Sequence, residues 1–437
     1  MMQNYYRHNI ANKIVFIGLI LIPFMSLPVM PSDYRPISVF FFLPIGMLLM
    51  MQYFANFRVQ KDIFVLLLFF IFSVFHSIIL VGDVTLSIRA LIPLFIGLIS
   101  YVAIKFYIQK HGIDYLFSKY LYLFYLIAIL GIVEILSIYG ILPYIFKQLI
   151  GEIFSTKVSS RIQLITMEGS WAAKIIIFSI PIYLYNYFKN GYFHKSFFIL
   201  MIIFLLTFSL EGFAIILFAL SVYVMYKFIP IIAKILSFKY NIKYYLYLTI
   251  FAIGSFIIIQ FVLSTQSGYS ISRIYKFLDA DSFITILGLD GSTFIRIIYP
   301  YIGFLIFLNH PFGVGLGGYA EIFNHYINMI PIDYSNFGEV MDDIATVSAD
   351  PKNLYSKLLS ETGIIGLLLF LFFIFLQFKY LRFNIKNFPK YKIFYITNIL
   401  LGLTSVVQFG SFAYLPFWFA FAVNSGIYYR IKKGYSL

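Results

Sequence analysis

The stretch that decides the fold is GSTFIRIIYPYIGFLIFL, Gly291 to Leu308. It is apolar and helical in pattern, and its length invites reading it as a membrane span. Two features oppose that reading. Arg296 lies inside it, and an arginine at the centre of a spanning helix costs about 2.5–3.5 kcal/mol on insertion scales. Lys and Arg also collect on the cytoplasmic side of short loops. If the stretch crossed, the loop carrying Lys379, Arg382, Lys386, Lys390 and Lys392 would face outward, and the rule would fail where its signal is strongest. The sequence therefore predicts a non-spanning helix, 291–308, lying along the outer face.

The rest of the chain is read from that decision. Of 437 residues, 61% are hydrophobic and 11% charged, with a mean hydropathy of +0.90. That excludes an ordinary soluble domain. A bilayer core needs about 20 mostly apolar residues per helix. Twelve such runs are present, from Ile14–Met30 to Phe412–Tyr429, including Phe197–Leu210, Gly212–Tyr226 and Tyr244–Leu263. The prediction is an all-α polytopic integral membrane protein, a single membrane domain over 1–437 with about twelve transmembrane helices. The first run follows a basic start and lacks a small-residue cleavage site, so it reads as a retained span. The termini and alternate loops hold 21 of the 32 Lys and Arg, which puts both termini in the cytoplasm. Two segments are then extracytoplasmic: a smaller loop, 140–169, and a larger one, 265–360, that contains the 291–308 helix.

The net charge of +14 is mostly this topological signal, and nucleic acid is not an expected partner. Cysteine is absent, which excludes disulfides, thiolate nucleophiles and Cys-ligated metals. Chemistry is expected where polar residues collect outside the bilayer. In the smaller loop, Arg161 precedes Glu168-Gly169-Ser170-Trp171, and two helical turns between Arg161 and Glu168 would stack them on one face. They read either as an interfacial salt bridge beside a belt tryptophan or as a functional pair. In the larger loop, Asp290 and Arg296 lead to Asn309-His310-Pro311, and then to Gly313, Gly315, Gly317 and Gly318. Such glycines suit a tight turn, or a close approach of backbone amides to an anion. Asp350-Pro351-Lys352-Asn353-Leu354-Tyr355 and Glu361-Thr362-Gly363 then run into the next span.

Glu134, inside the fifth span, is costly in lipid, and reads as a functional candidate or as the structural partner of an arginine. Arg89, at the outer end of the fourth span, either faces a lipid phosphate or anchors the interface. Asp279-Ala-Asp281 and Asp342-Asp343 have the form of divalent-metal pairs, but the expectation is no metal and no cofactor.

Taken in order, these pieces resemble the bacterial O-antigen ligase and polymerase superfamily, in particular the Wzy-type polymerases of O-antigen and capsular polysaccharide. The elements are an arginine followed by Glu-x-Ser, then Ser-x-x-x-Arg before an apolar stretch, Pro-x-Gly-x-Gly-x-Gly, Asn-x-Tyr, and Glu-x-Gly-x-x-Gly before a helix, over Ser155 to Phe375. Ligase-like members usually carry a histidine where this chain has Lys352, which favours a polymerase. A proline is common where Gly169 stands.

The resemblance implies a glycosyltransferase of the bacterial inner membrane. It would transfer a growing glycan from undecaprenyl pyrophosphate to the terminal sugar hydroxyl of another lipid-linked repeat unit, on the outer face. Expected partners are that lipid-linked oligosaccharide, membrane lipids, a chain-length regulator protein and a flippase. The departing pyrophosphate calls for fixed cations, and the guanidinium fork suits that task. Arg161 and Arg296 are the expected clamps, with Lys352 as a third charge. Glu168 is the first candidate base, with Asp350 and His310 behind it. Arg89, His310, Asn353, Tyr355 and the glycines 313, 315 and 317 are the expected substrate contacts. The competing readings are a ligase to the lipid A core and a flippase for the same lipid-linked oligosaccharide. A transporter would show repeated halves and polar residues spread through its spans, whereas here the spans read as nearly free of charge.

Overall fold

The computed structural model describes residues 2–27, 36–56, 59–154, 161–207, 209, 211–221, 223, 287–288 and 291–435. The expected span Tyr244–Leu263, the Asp279/Asp281 pair, Ser159, Ser160 and Asp290 lie outside those residues. Long runs of Leu, Ile and Phe with few breakers form helices throughout, as they must where only intrahelical hydrogen bonds can satisfy the backbone. In chain order these are α1 (Met2–Ile20), α2 (Val39–Ala55), α3 (Lys61–Leu80), α4 (Val84–His111) and α5 (Asp114–Ile138). There follow α6 (Ile145–Phe154), α7 (Gly169–Asn190), α8 (Lys195–Leu206), α9 (Glu211–Ser221) and α10 (Gly291–Asn309). The last five are α11 (Gly318–Ile327), α12 (Gly338–Ala345), α13 (Leu354–Asn387), α14 (Lys392–Ser405) and α15 (Leu415–Lys432). A π-helical turn at Leu358–Thr362 interrupts α13.

Among the described residues, five helices are long and apolar enough to cross a bilayer, namely α3, α4, α5, α10 and α13. A sixth is added if α8 and α9, which meet at 116°, are one broken span. The chain is thus an all-α membrane protein. The run expected to span from Phe197 to Leu210 ends as a helix at Leu206, and its 12 residues reach only about 18 Å at the usual rise. Ser209 receives the Gly212 amide at 3.0 Å and so starts α9 in a new direction.

At the centre α15 packs along α4, against α13 and α14, while α3 packs on α13 and α2 on α4. Small residues permit the α4–α15 contact. Trp418 is fully buried against Gly97, where an added Cβ would stand 2.2 Å from the indole Nε1. Where α3 begins, a buried ionic and polar network joins four helices: Lys105 contacts Asp62 at 2.5 Å, and the Tyr101 hydroxyl donates to Asp62 and lies 2.9 Å from the Ser425 hydroxyl. Gln377 donates to Tyr101 at 3.1 Å, and Asn424 donates to the Gln377 carbonyl at 2.8 Å.

A second hydrophobic core stands apart from this one. The α10 face bearing Phe294, Ile298, Tyr299 and Ile302 packs with Phe323 and Ile327 of α11 and with Val340 of α12. Asp343 ties that core together, accepting from the Tyr299 hydroxyl at 2.9 Å and from Ser348 at 3.0 Å. The unit is joined to α3 and α4 by the Glu321 carboxylate, which accepts the Asp83 amide at 2.7 Å, and by the Leu316 amide, which donates to Ser77 at 2.8 Å.

Overpacking a close helix crossing costs about 1–3 kcal/mol. Gly97→Ala is therefore expected to lower the thermal midpoint of the purified protein, whereas Gly338→Ala, with no atom within 4 Å of its added Cβ, leaves it unchanged. Equal midpoints for the two would contradict the packing described.

Candidate functional site

Residues 161–168 are not helical, so Arg161 and Glu168 do not stack through two helical turns. The cause is Glu134. Its buried carboxylate accepts the amides of Gln163 at 2.7 Å and Leu164 at 2.8 Å, as well as the Lys147 ammonium. Lys147 also donates to the Gln163 side chain at 2.8 Å. Amides captured by a carboxylate cannot serve a helix, and Leu164 adopts a φ of +54° instead. Glu134 is thus a structural hub, paired with a lysine rather than the expected arginine.

The loop delivers its ends to the first turn of α7. Gly169 sits against the carbonyls of Ile162 and Thr207, each 3.2 Å from an added Cβ, with the Arg161 Cβ next to them. Ser170 donates to the half-buried Glu168 carboxylate. One and a half turns further along, buried Lys174 lies 2.5 Å from Glu211, a charge contact without hydrogen-bond alignment. The other Glu211 oxygen is 3.8 Å from the Arg296 guanidinium, which is one-third exposed. Arg161 and Arg296 are therefore brought to the same end of α7, one through Gly169 and one through Glu211. The indole of Trp171 and the ring of Phe409 lie 5.8 and 5.1 Å from the Lys174 ammonium.

A second cluster lies beyond Phe409. Its neighbour Gly410 is packed on Asp350, whose Oδ1 would stand 1.9 Å from an added Cβ. Asp350 accepts from Lys357 and from the Lys352 amide, and Lys357 stands 3.9 Å from Glu361. These three line a cavity of about 140 Å³ with Arg89, Gly317 and Ala320. Burial pushes the Asp350 carboxyl up, but the Lys357 ammonium and the Lys352 amide outweigh it and hold it below the usual carboxylate range. Asp350 is accordingly a poor general base at neutral pH.

The glycine turn does not cradle an external anion. The Gly313 amide donates to the His310 carbonyl at 2.8 Å, and the Gly315 amide to the Glu361 carbonyl at 2.8 Å. The amides of Gly317 and Tyr319 act on the Glu361 carboxylate, so the anion at the turn belongs to the chain itself. The glycines are needed for close contact, since a Cβ on Gly313 would stand 2.5 Å from the Gly363 nitrogen.

Other expected binders have structural roles. Asn353 caps α13, accepting the amides of Tyr355 at 2.9 Å and Ser356 at 3.1 Å. Tyr355 donates to the Leu403 carbonyl at 2.8 Å. Lys352 reaches Glu339 at 3.3 Å and does not line the cavity, and His310 is exposed. Sequence reasoning missed Lys174, Glu211, Lys357 and Glu361 as site residues. The signal was there, because an ionisable residue within an apolar run is a functional candidate.

Removing one member of a buried ion pair costs about 3–5 kcal/mol, while replacing both is tolerated far better. Glu134→Ala is expected to lower the thermal midpoint sharply, and Glu134→Ala with Lys147→Met to recover the part of the loss owed to the unpaired ammonium, though not the part owed to the Gln163 and Leu164 amides. A double variant no better than the single one would refute the pairing. Comparison with protein-family models and with curated proteins finds no match for this chain, so its function is argued from the site itself.

Proposed function

We propose that the protein is a polymerase of lipid-linked oligosaccharide repeat units, working on the outer face of the bacterial inner membrane with both termini in the cytoplasm. The observation that carries this is the concentration of cations at the first turns of α7: Arg161, Lys174 and Arg296, with Glu168 beside them. An apolar groove supports a lipid-borne substrate. It holds about 300 Å³ between α7, α9 and α14, lined by Ile180, Leu184, Ile216 and Leu400 among others. A narrow slot lined by Ile177, Ile215 and Leu401 continues from it to Lys174. In this reading the carrier's hydrocarbon lies in the groove and its pyrophosphate meets the cations.

The acceptor hydroxyl attacks the anomeric carbon of the donor glycan. The carbon–oxygen bond to the pyrophosphate breaks with its electron pair, and the hydroxyl proton passes to Glu168. Arg296 holds Glu211 only loosely, at 3.8 Å, and so can turn its N–H groups to a diphosphate. Fixed cations of this kind stabilise the charge that develops on the leaving group. In this reading the α10 helix, although long and apolar enough to cross, lies along the outer face, and its packing on α11 and α12 supports that placement. The 116° bend between α8 and α9 is the observation a flippase reading would draw on, because broken helices line transporter sites.

Cells lacking the gene are expected to carry single repeat units in place of polymer, whereas loss of all attached glycan would indicate a ligase or flippase. Arg161→Ala and Arg296→Ala are each expected to abolish chain growth at unchanged protein level, and Arg296→Lys to restore little of it. Wild-type polymer from either Ala variant removes that residue from the mechanism. The chain has no cysteine, so Ser335→Cys gives a single label site. Intact cells should label it with a membrane-impermeant maleimide, and labelling only after lysis would overturn the orientation.

A further inference from the structure

The cavity among Arg89, Asp350, Lys357 and Glu361 lies apart from the cations at α7, on the far side of Phe409 and Gly410. Its charges balance, with two cations against two carboxylates, so it suits a neutral polar guest better than an anion. One acceptor in it is unused. Glu361 is 2% exposed, and its Oε2 accepts no hydrogen bond from the described residues, the nearest cation being Lys357 at 3.9 Å. A buried carboxylate oxygen without a donor is costly, so it calls for a ligand that supplies one. Arg89 offers donors at the mouth, being exposed and without an ion-pair partner among the described residues. Leu86, Ala90 and Ala320 give the walls short apolar surfaces that suit the C–H faces of a ring. A cavity of about 150 Å³ takes up benzene, and this one, of about 140 Å³ and open at its mouth, can seat the face of a sugar ring while its outer hydroxyls stay in water.

We propose that this cavity binds one neutral sugar ring, with a ring hydroxyl donating to Glu361 Oε2 and Arg89 donating to ring or hydroxyl oxygens. Resting on the polymerase reading, it is the subsite for an internal sugar of the acceptor unit, from which the terminal sugar reaches on toward Glu168. The Asp350–Lys357 pair fixes the cavity floor. The acceptor chain then approaches across Phe409 and Gly410 toward Glu168 and the leaving pyrophosphate.

The test is direct binding to the full-length protein in lipid nanodiscs. The probe is the lipid-free oligosaccharide released by mild acid from the lipid-linked glycan of the producing cell. Wild-type protein is expected to bind it, and Arg89→Ala and Glu361→Gln each to weaken binding about tenfold or more, the loss of one charge-assisted hydrogen bond. Thermal midpoints establish that each variant is folded. If Glu361→Gln does not fold, Arg89→Ala decides alone, since its side chain stands at the surface. Folded wild-type protein that fails to bind, or variants that bind within twofold of it, overturn the assignment. The polymerase reading is judged separately by the glycan profile of cells lacking the gene, so either can fail without the other.

Discussion

Backbone-to-backbone contact between Pro311–Gly315 and Ser360–Ile364 is the joint on which the loop-bearing end of the molecule depends. The Val314 amide donates to the Ser360 carbonyl at 3.0 Å, and the Ile364 amide to the Pro311 carbonyl at 2.9 Å. A Cβ on Gly363 would stand 2.1 Å from the Phe312 carbonyl carbon, so glycine alone fits there. Through this joint the core built on α10 is fastened to the start of α13. The same joint turns Glu361 toward Lys357 and Arg89. Its π-helical turn, Leu358–Thr362, is the kind of local insertion that often accompanies functional sites.

Charge follows a consistent logic across the chain. Among the described residues, four pairs of opposite charge are buried or nearly so among the helices: Asp62 with Lys105, Glu134 with Lys147, Lys174 with Glu211, and Lys357 with Asp350, while buried Asp343 is held by hydroxyls instead. In hydrocarbon an unpaired ion is far more costly than a paired one. The first two pairs are embedded in hydrogen-bonded networks that knit helices and loops. The last two line space, Lys174 a slot and Lys357 a cavity, and a group that lines space can exchange a protein partner for a ligand.

The membrane class and helical character were legible because composition dictates them. The end of the bundle where polarity gathers was legible too, from the motifs around Arg161, Arg296 and Asp350. What the sequence hid was which side chains spend their hydrogen bonds internally. Asn353 looks like a binder and is a helix cap, while the glycines at 313–317 look like an anion cradle and instead serve Glu361. The Asn353 cap is local, its partners two and three residues on, but other roles depend on partners 29 and 48 residues away, as with Gln163 on Glu134 and Tyr355 on Leu403. No local spacing encodes them. Lys174 and Glu211 stood in plain view as charges within apolar runs, but their pairing needs the turn between α8 and α9.

The separateness of the two hydrophobic cores carries a consequence for how such a protein can diversify. Apart from Glu321, which ties α11 to the start of α4, substitutions in α11 and α12 alter a surface supported by its own interior and call for little change among the helices that meet at Trp418. The sequence of that cap is thus free to drift at a different rate from that of the lipid-facing scaffold.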